Sequence, residues 1–128
     1  MNFLVDTHLL LWTVCSSPKL PSAIREIFSN PDSTCFFSAA SIWEIAIKRS
    51  KRPALLPFSA ATARELFLSS GFRELPISSR HCLAVEDLPP VHSDPFDRLL
   101  VAQAKTSQMK FLTHDRLLAS YGDFVVSV

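Results

Sequence analysis

Short apolar runs alternate along this chain with longer stretches in which apolar residues recur at helical spacing. The short runs predict buried strands at 2–5, 34–37, 72–77, 110–113 and 124–128. Helices are predicted between them, at 7–14, from about 21 onward, from 39 past Glu44, at 60–70, from 78 or 79 to about 85, at 95–107 and at 115–121. Strands that alternate with helices favour a parallel sheet covered on both faces. We therefore predict one α/β domain over residues 1–128, a three-layer sandwich with a central, mostly parallel sheet of about five strands.

Four acidic residues occupy positions in this pattern that indicate a shared site. Asp6 directly follows the first strand, Asp115 comes two residues after the strand that ends at Thr113, Glu44 lies in an apolar helix, and Asp97 lies in the first turn of another. An acid just after a buried strand lies at the carboxyl edge of the sheet, where open α/β folds place their sites. Converging carboxylates repel one another unless a cation joins them. Oxygen ligands without a cysteine or histidine cluster suit Mg²⁺ or Mn²⁺.

Each acid also has a simpler structural explanation. Asp6 and Asp115 could cap the helices that follow them, and Glu44 could pair with Lys48 one helical turn later for about 0.2–0.5 kcal/mol. Asp94 is a good N-cap for the helix that follows it, and capping is sufficient to explain it, although it also remains a candidate for touching a metal. Taken together the structural explanations require four coincidences, so we favour an acidic metal site.

Several polar residues near the acids could orient waters, ligands or substrate around such a site. They are Thr7, Ser38, Ser41, Arg98 and Thr113. Four cations close the Glu44 helix, and they are either a solvated helix end or a contact for nucleic acid; they are Lys48, Arg49, Lys51 and Arg52. The four histidines are scattered and none is expected to act as a general base, although His92 could touch phosphate beside the acidic motif.

Composition excludes some classes of protein. Hydrophobic residues make up 48% of the chain and the mean hydropathy is +0.20, yet no apolar run approaches the roughly 20 residues of a membrane span. We expect the excess apolar surface to cover a homodimer face or a partner groove. The net charge of +1 gives no global attraction to nucleic acid. Only Gly71 and Gly122 occur, which excludes the glycine-rich loops of nucleotide-cofactor enzymes.

The three cysteines and the start of the chain bear on its compartment. Cys15, Cys35 and Cys82 are far apart and lie among apolar residues, so we expect small core residues rather than a zinc site or a redox pair. The first residues lack the pattern of a signal peptide. Both features predict a cytoplasmic protein.

A set of short motifs occurs in a fixed order along nearly the whole chain: FLVDTH at 3–8, LLW at 10–12, SAASIWEI at 38–45 with Lys48, LPI at 75–77, His81, LPP at 88–90, His92, DPFDR at 94–98 and THD at 113–115. With these motifs the chain resembles the PIN-domain nucleases of the VapC type, which are the toxins of bacterial toxin–antitoxin pairs. The resemblance implies a metal-dependent endoribonuclease that hydrolyses RNA with a water activated by Mg²⁺ or Mn²⁺. It also implies a homodimer and a cognate antitoxin protein that inhibits it. By the same resemblance the metal ligands are Asp6, Glu44, Asp97 and Asp115.

Two other classes of protein stay open on the residues alone. Haloacid-dehalogenase-like phosphatases and receiver domains also place an Asp after the first strand, but His8 stands where such a phosphatase has a second Asp, and a receiver has paired acids at that strand end. A non-catalytic interaction module is the other alternative. Its acids would be helix caps, its apolar surface would bind a partner, and it would have no affinity for metal.

Overall fold

The computed structural model describes all residues from 1 to 128, and its elements follow the predicted order. The strands are β1 Asn2–Val5, β2 Thr34–Ser38, β3 Arg73–Leu75, β4 Lys110–Thr113 and β5 Val125–Ser127. The α-helices are α1 Thr7–Val14, α2 Ser22–Ser29, α3 Ala39–Lys51, α4 Ala60–Ser69, α5 Ser79–Ala84 and α6 Pro95–Thr106. Three segments form short 3₁₀ helices, at Pro53–Leu55, Val85–Asp87 and Arg116–Tyr121.

The five strands form one sheet in the order β3-β2-β1-β4-β5, and every neighbouring pair is parallel. The predicted parallel sheet of five strands is thus confirmed, and no strand runs antiparallel. Receiver domains have the strand order 2-1-3-4-5. The observed order differs from it, so the receiver alternative is wrong.

Side chains of the central strands alternate between two apolar cores, one on each face of the sheet. Phe3 and Val5 of β1 enter the core beneath α1, α2 and α4, whereas Leu4 enters the core beneath α6. Phe111 and Leu112 of β4 divide in the same way. Because a buried parallel strand needs apolar side chains on both faces, it reads as a continuous apolar run. The predicted three-layer sandwich is confirmed.

The differences from the predicted bounds lie at the edges of the sheet. β3 and β5 each have a single neighbour, and they are shorter than predicted. β3 ends at Leu75, one residue before Pro76, which has no N–H to continue the ladder. The segment after Asp115 is a 3₁₀ helix rather than an α-helix.

The prediction for the cysteines holds for one of the three. Cys35 lies in the core, where burial raises the pKa of its thiol to about 11. Cys15 and Cys82 are exposed, so their placement in the core was wrong. Cys15 follows Val14, the last residue of α1. Val14 packs against the core, whereas Cys15 is exposed. None of the helices combines the length and apolar character needed to cross a bilayer.

Candidate metal centre at the carboxyl edge of the sheet

The acidic residues gather where β1 and β4 end. Because these strands are parallel neighbours, Asp6 after β1 and Thr113 at the end of β4 meet at the same edge, and the Asp6 amide donates to the Leu112 carbonyl at 2.9 Å. The helix α3 brings Glu44 to this edge, and the first turn of α6 brings Asp97.

Asp6 is anchored at the floor of the site. It is 5% exposed, and its Oδ2 accepts a hydrogen bond of 2.6 Å from the Thr113 hydroxyl. The same hydroxyl oxygen accepts from the Asp115 amide at 3.0 Å, so Thr113 joins the two acids. Burial raises the pKa of Asp6, with a smaller repulsion from Glu44, and these effects exceed the opposing effect of the hydrogen bonds from Thr113 and His8.

Glu44 is buried and both of its carboxylate oxygens are engaged. Its Oε1 accepts from the Thr7 hydroxyl at 2.9 Å, and its Oε2 lies 2.5 Å from the Lys48 ammonium. The Ser41 hydroxyl lies 2.8 Å from that of Thr7 and completes the network. Desolvation alone would lower the pKa of Lys48, but the hydrogen bond and the charge of Glu44, with Asp94 and Asp97 beyond it, raise the pKa above its usual value. The ion pair predicted as an alternative for Glu44 is therefore formed.

Asp97 has no comparable anchor. Its side chain is 19% exposed and accepts no hydrogen bond from the protein, and the His92 Nε2 is 3.8 Å from its Oδ2. Burial raises the pKa of Asp97 to about 7, aided by repulsion from Asp6, Asp94 and Glu44 and opposed by His92. Its surroundings thus favour a proton or a cation on this carboxylate.

His92 was expected from the sequence only as a possible phosphate contact, and the structure places it against the acids. Its Nε2 lies 3.0 Å from Asp115 Oδ2, and donor atoms of His92, Asp97 and Asp115 all lie within 4.8 Å of one another. Its Nδ1 accepts from the Asp94 amide at 3.2 Å, which fixes the ring against the start of α6. Its only signal in the sequence is its place in the loop that leads into the acidic motif.

Three acids at this edge also cap helices, as the simpler explanation required. Asp6 Oδ1 accepts from the His8 amide, Asp115 Oδ1 from the Leu117 amide at 3.0 Å, and Asp94 Oδ1 from the amides at positions 96 and 97. Capping uses one oxygen of each carboxylate. It does not explain Asp97, which caps nothing.

Other predicted residues lie apart from the acids. Ser38 caps α3 through the Ala40 amide at 2.9 Å and donates to the Gln103 side chain. The guanidinium of Arg98 donates to the carbonyls of Val85 and Pro89, both at 3.1 Å, and so supports the loop that carries His92.

The four cations at the end of α3, of which Arg52 follows the last helical residue, divide between two sides of the helix. Lys48, Lys51 and Arg52 line a cleft that Glu44 also reaches. Arg49 lines a separate depression, and its Nε is buried without a hydrogen-bond partner.

The donor set fits a hard divalent cation. Carboxylate oxygens predominate, the acids outnumber the one nearby ammonium group, that of Lys48, and Mg²⁺ and Mn²⁺ prefer such oxygen-rich surroundings.

Comparison with solved structures shows the same fold. VapBC2 from Rickettsia felis bound to a DNA fragment from their promoter matches with a TM-score of 0.73 at 12% identity, over 100% of this chain and 98% of that chain. FitAcB from Neisseria gonorrhoeae matches with a TM-score of 0.68 at 17% identity, over 98% and 96% of the two chains. A toxin–antitoxin complex from Klebsiella pneumoniae gives a TM-score of 0.65 at 17% identity, over 97% and 95%.

Sequence comparison places the chain in a family. No curated protein matches it. The family model described as PIN domain matches residues 3–123, nearly the whole chain. This match also excludes the haloacid-dehalogenase-like alternative. The chain belongs to the PIN domain family.

Proposed function

We propose that this protein is a metal-dependent endoribonuclease of the VapC type, which hydrolyses RNA phosphodiesters at the carboxyl edge of its sheet. The observation that carries the proposal is the environment of the Asp97 carboxylate. A half-buried carboxylate that faces three other acids, accepts no hydrogen bond and has a pKa raised to about 7 is costly in the absence of a cation. Membership of the PIN domain family supports a nuclease role for this acidic cluster.

Asp6, Asp97 and Asp115 are the residues that hold the metal in this proposal, and Glu44 completes the acidic set. A bound Mg²⁺ or Mn²⁺ would supply a more acidic water and offset the charge that develops on the leaving oxygen. Thr113 keeps one oxygen of Asp6 fixed through its 2.6 Å hydrogen bond. Thr7 does the same for Glu44 at 2.9 Å. These hydrogen bonds fix the orientation of the two carboxylates before a metal binds.

Lys48 lowers the negative charge that an RNA strand meets. Lys48 neutralises Glu44 at the rim of the site, while His92 stands between Asp97 and Asp115. A phosphodiester is an anion, and an acidic cluster without such neighbours would repel it. Lys48 therefore eases the approach of the substrate in our proposal.

The alternative of a non-catalytic module accounts for part of the site. Its helix caps are formed at Asp6, Asp94 and Asp115. It does not explain the position of Asp97, whose carboxylate is repelled by Asp6, Asp94 and Glu44 and accepts no hydrogen bond. A metalloribonuclease accounts for both observations.

The cellular role is inferred from the solved structures that this chain resembles. Two of the similar solved structures carry VapBC or toxin–antitoxin in their descriptions, and we infer that this chain is a cytoplasmic toxin inhibited by an antitoxin protein. We also infer a homodimer. Trp43 is 56% exposed and packs edge-on against Phe96 at 4.9 Å, which provides an apolar surface that a second copy can cover.

Cleavage of single-stranded RNA with Mg²⁺, Mn²⁺ or EDTA tests the nuclease proposal. We expect metal-dependent cutting by the wild type and a loss of about 100-fold or more in Asp97→Asn, which keeps the shape of the side chain but not its charge. Asp123→Asn is the matched control, because Asp123 is exposed and lies before β5, at the opposite edge of the sheet. Equal cutting by wild type and Asp97→Asn would contradict the proposal.

A further inference from the structure

A cleft of the size usual for a small-molecule site lies beside the acidic site. It lies between α1, the end of α3 and the 3₁₀ turn at Pro53–Leu55, and has a volume of about 470 Å³. Volumes of about 300–1,000 Å³ are usual for small-molecule sites. Thr7 and Glu44 form part of its lining, so the cleft opens directly beside the acids.

The cleft has an apolar wall and a cationic rim. The wall consists of Leu11, Ile45, Leu55 and Leu56. Lys51 and Arg52 are exposed at the rim and form no ion pair with any acid of the protein. Lys48 also lines the cleft, but its ammonium group is already paired with the Glu44 carboxylate. An anion that enters therefore finds two free cations, and Glu44 is screened from it.

We propose that this cleft binds the nucleotide adjacent to the scissile phosphate of an RNA strand. The base lies against the apolar wall, and its phosphate lies between Lys51 and Arg52. This inference rests on the proposed function for its substrate. A nucleotide fits both features because it joins a base, whose flat faces are apolar, to a phosphate.

The division of the four α3 cations supports a directed site rather than a general basic patch. Arg49 lines a depression on another side of the helix together with Pro53 and Ala60. The net charge of the chain is only +1, so attraction to RNA has to be local. Lys51 and Arg52 are the cations that the fold places beside the acids and leaves without a partner.

The test measures RNA binding without catalysis. A short, fluorescein-labelled single-stranded RNA of mixed sequence is titrated in EDTA with the wild type and with the double variant Lys51→Ala, Arg52→Ala. We expect the double variant to bind roughly tenfold more weakly. We also expect its plot of the log of the association constant against log salt concentration to be less steep by about 0.7, as the loss of one neutralised phosphate on a single strand predicts.

The control is the double variant Lys105→Ala, Lys110→Ala. It removes the same charge from a cleft at the opposite edge of the sheet, which Met1 and Phe124 also line. We expect affinity within about twofold of the wild type. Equal RNA affinity in the wild type and the Lys51, Arg52 variant would overturn the proposal, and it is also the result expected if the cleft serves a protein segment instead.

A second variant tests the apolar wall. Leu55 is 66% exposed, so Leu55→Ser leaves the core intact. We expect it to weaken binding of the RNA roughly threefold, through the loss of apolar contact, and to leave binding of the same oligomer with abasic sites unchanged. Leu83→Ser, at a side chain 68% exposed on α5, is the control. Equal wild-type affinity for RNA and the abasic oligomer would overturn the placement of the base.

These measurements separate the two proposals. Binding that depends on Lys51 and Arg52 without any metal-dependent cleavage supports the cleft and contradicts the nuclease. Metal-dependent cleavage with unchanged binding and KM in the double variant supports the nuclease and overturns the cleft.

Discussion

The Asp97 carboxyl is the group whose ionisation is most affected by the fold. Its pKa is raised to about 7 from 3.8, because it is buried and repelled by Asp6, Asp94 and Glu44. Between these values the folded, metal-free protein binds more protons than the unfolded chain. The contribution of Asp97 to stability is therefore complete below about pH 4 and is lost as the pH rises through 7.

Replacement of Asp97 by Asn removes the loss of stability that accompanies ionisation of this carboxyl. At pH 8 without metal, we expect Asp97→Asn to raise the free energy of unfolding by roughly 1–3 kcal/mol, and at pH 4 to change it little, since the wild-type group is then protonated. Urea unfolding in EDTA at the two pH values measures the difference, with Asp123→Asn as control. A variant that is less stable than wild type at pH 8 would show that the carboxylate has a structural role.

The sequence could indicate which acids belong to the site but not every contact around them. Asp6 and Asp115 were placed at the sheet edge because each follows a strand, and local pattern is enough for that inference. His92 lies 3.0 Å from Asp115 through a loop that no periodicity describes. Arg98 is adjacent to Asp97 in the chain, yet its guanidinium turns away to the carbonyls of Val85 and Pro89. The direction of both side chains depends on tertiary contacts, which local sequence does not specify.

At the scale of elements, α6 shows what local rules determine. Asp94, Pro95 and Asp97 were predicted at the N-cap, the first position and the first turn, and the structure has them there. These positions follow from the free amides of a helix start. The short strands at the sheet edges were predicted less well, because their ends depend on how far the neighbouring strand extends.

The role of Asp94 can be tested through its cap. Asp94 Oδ1 accepts two amides of the first turn, at 2.8 and 3.3 Å. We expect Asp94→Ser, which keeps a capping oxygen, to retain wild-type stability within about 0.5 kcal/mol, and Asp94→Ala to lose about 1 kcal/mol. We also expect Asp94→Ser to retain metal-dependent RNA cleavage. Loss of cleavage in a stable Asp94→Ser variant would instead place Asp94 at the metal.

At the scale of the whole molecule, the order of the strands in the sheet brings the residues of the site together. Thr113 and Asp6 are 107 residues apart in the chain, and their 2.6 Å hydrogen bond exists because β4 pairs with β1. The sequence predicted a parallel sheet, since strands and helices alternate, but strand order is set by packing between distant elements. The two edges of the sheet differ in consequence. The acids and the cleft of α3 lie at the carboxyl edge, and the cleft lined by Lys105 and Lys110 lies at the amino edge.

Calorimetric titration of Mn²⁺ into the metal-free protein tests the central claim that these carboxylates form a divalent-metal site. We expect binding to the wild type and to Asp123→Asn at pH 8, and affinity that falls roughly tenfold between pH 8 and pH 6 as a proton competes at Asp97. Asp97→Asn should bind at least about tenfold more weakly at pH 8. Wild-type protein that binds no Mn²⁺ at pH 8, or that binds it equally with and without the Asp97 carboxylate, would contradict the account.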